Sequence, residues 1–77
     1  MARVLLFGPL RDLAGWRERD FDDVRDLAGL IAQFDPELTE ALSGPGVQVA
    51  VDKVIVRGNA VLEQGSEVAF LPPMSGG

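Results

Sequence analysis

The sequence contains no histidine and no cysteine. That removes the commonest general base, the commonest metal ligand and the thiolate nucleophile together. The remaining chemistry-bearing side chains are carboxylates, arginines, the single lysine Lys53, three serines and one threonine. A chain with these groups alone is not expected to catalyse a reaction by itself, and neither catalytic side chains nor a metal site are assigned. The group that could still do chemistry is the carboxylate of Gly77, which ends the run Pro72-Pro73-Met74-Ser75-Gly76-Gly77. Glycine has no Cβ, so a Gly-Gly end can thread a narrow channel and bring its carboxylate to reactive groups without side-chain collision. A carboxylate of this kind has a pKa of about 3.3–3.7 and is ionised at neutral pH, where it is a poor electrophile. It needs activation. Attack on the α-phosphate of ATP would make an acyl-adenylate, from which a sulfur nucleophile could displace the nucleotide.

The elements before the run must hold and present it. Pro72 and Pro73 cannot donate to a sheet ladder and favour an extended path. Residues 72–77 are therefore expected to form an extended, flexible arm on a domain spanning residues 1–71. Val4–Phe7 is an apolar run stopped by Gly8-Pro9 and suits a central strand. Leu10–Ala14 suits a turn of helix, and Trp16–Phe21 alternates as a solvent-facing second strand. Val24, Leu27, Leu30, Ile31 and Phe34 recur in steps of three and four, which predicts the main helix, with Asp23 as its N-cap and Asp26 in its first turn. Asp35-Pro36 ends that helix and opens a short second one over 36–42. Val47–Val51 and Val54–Val56 form a hairpin, Leu62 is an isolated core anchor, and Glu67–Leu71 is a fifth strand with Val68 and Phe70 on one face. The order predicts an α+β, β-grasp (ubiquitin-like) fold: a mixed five-stranded sheet packed on one main helix with a short second helix. The first and fifth strands, the most apolar, should be central neighbours.

Composition sets the limits. A chain of 77 residues has room for one small domain and one core, which its 47% hydrophobic content can fill. The formal charge of −5 repels nucleic acid and anionic membranes, and a basic partner groove is the better expectation. No stretch has the apolar length needed to cross a bilayer, and a cytoplasmic protein is expected.

The run Glu67-Val68-Ala69-Phe70-Leu71-Pro72-Pro73-Met74-Ser75-Gly76-Gly77 strongly resembles the end of the molybdopterin synthase small-subunit family, which are ubiquitin-like sulfur carriers. Val4–Phe7 followed by Leu10-Arg11-Asp12-Leu13-Ala14-Gly15 resembles the opening strand and turn of the same family. The helix spacing and Ala50-Val51-Asp52 also agree, so the resemblance covers most of the chain and is weakest between Pro36 and Gly46. It implies that an ATP- and Mg-dependent, ubiquitin-activating-like adenylyltransferase adenylates Gly77. Sulfur from a persulfide donor then makes a thiocarboxylate there. The arm next enters the large subunit of molybdopterin synthase, a heterotetramer, which uses the sulfur to build the dithiolene of molybdopterin. The carrier itself binds no permanent cofactor.

On the sheet face away from the helix, Phe7, Ile55 and Leu71 are expected to form a docking patch near the base of the arm, and Arg11 a charged rim contact. The resemblance points to the same positions as contacts for both partners. Carriers for thiamine, cysteine or transfer-RNA thiolation share the fold and the Gly-Gly end. The double proline favours the molybdopterin assignment, since thiamine carriers more often lack it. A ubiquitin-like modifier that acylates lysines, and an interaction module with an inert tail, are the other classes this sequence admits.

Overall fold

The computed structural model describes residues 1–73. Its elements run β1 (Ala2–Leu6), α1 (Pro9–Ala14), β2 (Glu18–Phe21), α2 (Leu27–Ile31), α3 (Pro36–Leu42), β3 (Gln48–Val51), β4 (Val54–Val56) and β5 (Glu67–Leu71). The five strands make one sheet in the order β2-β1-β5-β3-β4. β1 and β5 pair in parallel at its centre, and every other neighbouring pair is antiparallel. This is the mixed sheet of a β-grasp, α+β fold, with the two most apolar strands adjacent as the sequence predicts.

The pleat sorts side chains by parity. Ala2, Val4 and Leu6 on β1 and Val68 and Phe70 on β5 are buried, and the register sets Val4 beside Val68 and Leu6 beside Phe70. Onto this face pack Leu10 of α1, Leu27 and Leu30 of α2, Phe34, Leu38 of α3 and the anchor Leu62. Trp16, Phe21, Phe34 and Phe70 form a chain of tilted rings with centroids 5.3–5.9 Å apart between successive members. Such pairs each add about 0.5–1.5 kcal/mol beyond the area they bury.

The helical layer differs from the expected one in its details. The main helix, expected from an Asp23 cap through Phe34, is confined to Leu27–Ile31, and its N-cap is Asp26, whose Oδ1 accepts the Gly29 N–H at 2.8 Å. Asp23 has φ of 57° and belongs to the preceding turn. Competition for the backbone explains the late start. Residues 25–27 lie alongside 60–62: Asp26 and Val61 form an antiparallel bridge, Leu27 N–H donates to Ala60 O at 2.8 Å, and Leu62 N–H donates to Arg25 O at 2.9 Å. Groups needed to begin a helix at Asp23 are already engaged with the segment after β4. Val24 and Phe34 still reach the core, so the apolar stripe survives without a continuous helix. With α1 and α3, the layer holds three short helices.

Asn59 ties the two segments together. Its Oδ1 accepts the Ala28 N–H at 2.9 Å and its Nδ2 donates to Asp26 Oδ2 at 3.2 Å. The Gly29 N–H and the Asn59 amide hold the Asp26 carboxyl below its ordinary pKa of 3.8. A depressed carboxyl pKa contributes stability that is present above the unfolded-state value and disappears as pH falls through the folded one. Asn59→Ala removes both hydrogen bonds that tie the segments and should lower the midpoint of denaturant unfolding followed by Trp16 fluorescence. In the same assay the stability gap between wild type and Asp26→Asn should close as pH is lowered below 3.8; a gap independent of pH would refute the assignment.

Candidate functional site

The parity that buries Val4, Leu6, Val68 and Phe70 turns Arg3, Leu5, Glu67, Ala69 and Leu71 to the opposite face of the sheet, which the helices do not cover. Cross-strand register arranges this open face in rows. One row runs Glu18, Leu5, Ala69, Ala50, Ile55 across all five strands. Towards the carboxyl end of β5, Leu71 stands opposite Gln48, and Phe7 continues β1 beside it. At the other end the row is charged. Arg3 sits between Asp20 and Glu67 and reaches both Glu18 and Asp20 at 3.3 Å, while Asp52 Oδ1 accepts the Glu67 N–H at 2.9 Å. The open face thus grades from ion pairs at one end to apolar side chains at the other.

The apolar end is incompletely buried. Phe7 is 44% and Ile55 46% exposed, whereas Leu5, Ala69 and Leu71 are partly buried by their neighbours. The expected patch of Phe7, Ile55 and Leu71 is therefore assembled on one face, with Phe7 and Leu71 next to the exit of β5. Ile55 lies two strands from β5, one row towards the charged end. Leu5 and Ala69 complete the surface between them, over a buried Ala50, and all three were absent from the expected set. Their alternation with Leu6, Phe70 and Val49 was the signal that could have found them. Arg11 is exposed on α1, with Asp12 3.8 Å away, and lies outside the strand rows. Arg57 follows Ile55 by one alternation and lines the same shallow hollow as Ile55 and Gln48, so it is the cation nearest this surface by register.

The base of the arm lies at the same end. Pro72 is half-buried and Pro73 exposed. Pro72 approaches Gly8, which links β1 to α1, and Pro73 approaches Gly46, which precedes β3. Met74, Ser75, Gly76 and Gly77, the remainder of the expected arm and its reactive end, lie outside the described residues. Among the described residues, no group of acidic side chains is placed to hold a metal ion and no helix is long and apolar enough to cross a membrane. This geometry sets an exposed apolar surface beside the point where the chain leaves β5, and the described residues place no nucleophile–base pair next to either.

Comparison with known proteins agrees along the whole chain. Residues 4–77 match the model of the ThiS family. The sequence is 33% identical to the molybdopterin synthase sulfur carrier subunit of Escherichia coli K12 and 30% identical to the protein of that name from Haemophilus influenzae, in each case over 100% of both chains. The crystal structure of SAMP1 from Haloferax volcanii aligns with a TM-score of 0.79 at 25% identity, covering 99% of this chain and 98% of that one.

If the open face is a docking surface rather than a second core, its apolar residues should be dispensable for folding. Phe7→Ser and Ile55→Ser should each cost no more than about 1 kcal/mol in denaturant unfolding. Phe70→Ala, on the buried face, should cost about 3–5 kcal/mol. Comparable losses at all three positions would mean that the open face carries the fold.

Proposed function

The chain belongs to the ThiS family, and from that premise we propose that it is a cytoplasmic sulfur carrier, the small subunit of a heterotetrameric molybdopterin synthase. Gly77 is the carrier group. Its carboxylate oxygen attacks the α-phosphate of MgATP in an adenylyltransferase of the ubiquitin-activating type, and pyrophosphate leaves. The terminal sulfur of a persulfide donor attacks the acyl carbon and AMP departs, leaving an acyl disulfide. A second thiol then attacks the donor's sulfur, the S–S bond breaks, the donor leaves as a disulfide with that thiol, and the carrier is released as a C-terminal thiocarboxylate. The large subunit then takes that sulfur for the dithiolene of molybdopterin. Nucleotide contact is confined to the activation step, and the chain contributes no catalytic side chain.

The observation that carries this reading is the shared position of the arm and the apolar surface. Pro72 leaves β5 immediately after Leu71 and approaches the Gly8 corner that follows Phe7. A partner gripping Phe7, Leu5 and Leu71 therefore receives the segment leading to Gly77 in a defined direction. Burial of such an apolar centre with a polar rim is the usual anatomy of a protein interface. The same surface serves the activating enzyme and the large subunit in turn, since both must accept the arm from the same side. The charge of −5 suits grooves lined with basic residues and speeds encounter with them. The names of the two full-length relatives support molybdopterin synthase over the thiamine, cysteine and transfer-RNA pathways.

Incubation with an activating enzyme, MgATP and a sulfur donor should raise the intact mass by the difference between one sulfur and one oxygen, and removal of Gly77 should abolish the gain. No gain under conditions that load another carrier of the family would overturn the proposal. Phe7→Glu should weaken binding to the large subunit at least about tenfold, because a charge is desolvated at the centre of an apolar contact, while leaving thermal unfolding close to that of the wild type. Unchanged affinity would remove Phe7 from the interface.

A further inference from the structure

The two loops flanking the base of the arm each place a glycine against a proline. Gly46 has φ of +84°, and a Cβ built on it would lie 2.7 Å from Pro73 Cβ and 3.5 Å from Pro73 Cα. Gly8 has φ of +55°, and its Cβ would lie 3.4 Å from Pro72 Cγ. Non-bonded carbons settle at about 3.5–4.0 Å, so the Gly8 contact is snug and the Gly46 contact leaves no room for a side chain. The two glycines come from separate parts of the sequence, between β1 and α1 and between α3 and β3, and they meet consecutive residues of the diproline.

We propose that Gly46, assisted by Gly8, is a positioning residue that sets the direction in which the arm leaves the domain. The inference rests on the carrier reading given above and adds to it the feature that aims Gly77. Proline is the reason the contact is directional. A long flexible side chain could swing away from a new methyl group, but the ring of Pro73 is locked to its own backbone with φ near −65°. An overlap with a Cβ at position 46 can be relieved only by moving the backbone of the arm or of the loop. Pro72 and Pro73 lead into the segment that ends in Gly77, so a change in their path changes the point from which that segment is presented to a partner. A misplacement of about 1 Å at a reacting group can cost about a hundredfold in rate.

The control is built into the fold. Gly65 has φ of +86°, nearly that of Gly46, yet a Cβ there would meet nothing within 4 Å. Gly65→Ala imposes the same backbone strain without touching the arm. In the full-length protein, Gly46→Ala should lose at least as much stability as Gly65→Ala, read by Trp16 fluorescence. Gly46→Ala alone should shift the Cα and Cβ resonances of Pro72 and Pro73 in NMR spectra. In sulfur transfer to the large subunit, Gly46→Ala should lower kcat about 10- to 100-fold with KM nearly unchanged, because the open face still docks. Pro73→Gly, at an exposed position, relieves the contact from the arm's side and remains usable if Gly46→Ala folds poorly. It should lower kcat in the same way, and adding Gly46→Ala to it should cause little further loss.

Wild-type proline resonances in Gly46→Ala would overturn the inference, as would a fall in kcat no larger than that of Gly65→Ala. So would losses at positions 46 and 73 that simply multiply. The NMR comparison uses the free protein and decides the positioning role even if the wild-type chain is never loaded with sulfur, a result that would instead overturn the carrier reading.

Discussion

Parallel pairing of β1 with β5 is the constraint on which the rest of the molecule depends. Parallel neighbours cannot be joined by a tight turn; the chain between them must cross over. Here residues 7–66 make that crossing and supply the helices, both edge strands and the loop that carries Gly46. The pairing also fixes what each face of the sheet holds. Because Val4 lies beside Val68 and Leu6 beside Phe70, one face is closed by the helical layer while Leu5, Ala69 and Leu71 are left on the other. A slip of one residue would exchange the two sets. Buried core and open apolar face are therefore two readings of a single register.

The same pairing brings Phe7 and Leu71 to one end of the sheet. Both strands run towards that end, so the apolar end of the open face and the point where the arm departs coincide by construction. The ion pairs of Arg3 with Glu18 and Asp20 lie at the opposite end. They are exposed and screened, and contribute little to stability. They make that end of the open face polar, so the face's exposed apolar side chains lie towards the diproline.

Much of this was legible in the amino-acid sequence because it is carried by local pattern. The alternation in Glu67–Leu71 and the unbroken apolar run in Val4–Phe7 identify central strands, and the two prolines mark where a sheet ladder must stop. The start of α2 was not legible. Asp23 and Asp26 are equally good caps by type, and the choice between them is made by the segment 60–62 and by Asn59, more than thirty residues away. Tertiary pairing outweighed local preference there. The site divides in the same way. Phe7 and Leu71 were visible as apolar residues at strand ends, but Leu5, Ala69 and Ala50 join them only through cross-strand register. The closeness of Gly46 to Pro73 joins residues 27 positions apart in chain order, and no local motif announces it.

The direction of β1 has a practical consequence. Its first residue pairs near Glu67 and its last near Phe70, so anything attached ahead of Ala2 emerges at the charged end of the sheet, a full strand length from the diproline. An affinity tag, a fluorophore or a solid support joined there leaves the apolar face and the arm unobstructed. The molecule can thus be immobilised by one end while the apolar face and the diproline at the other stay accessible, and binding there can be followed on a single tethered copy.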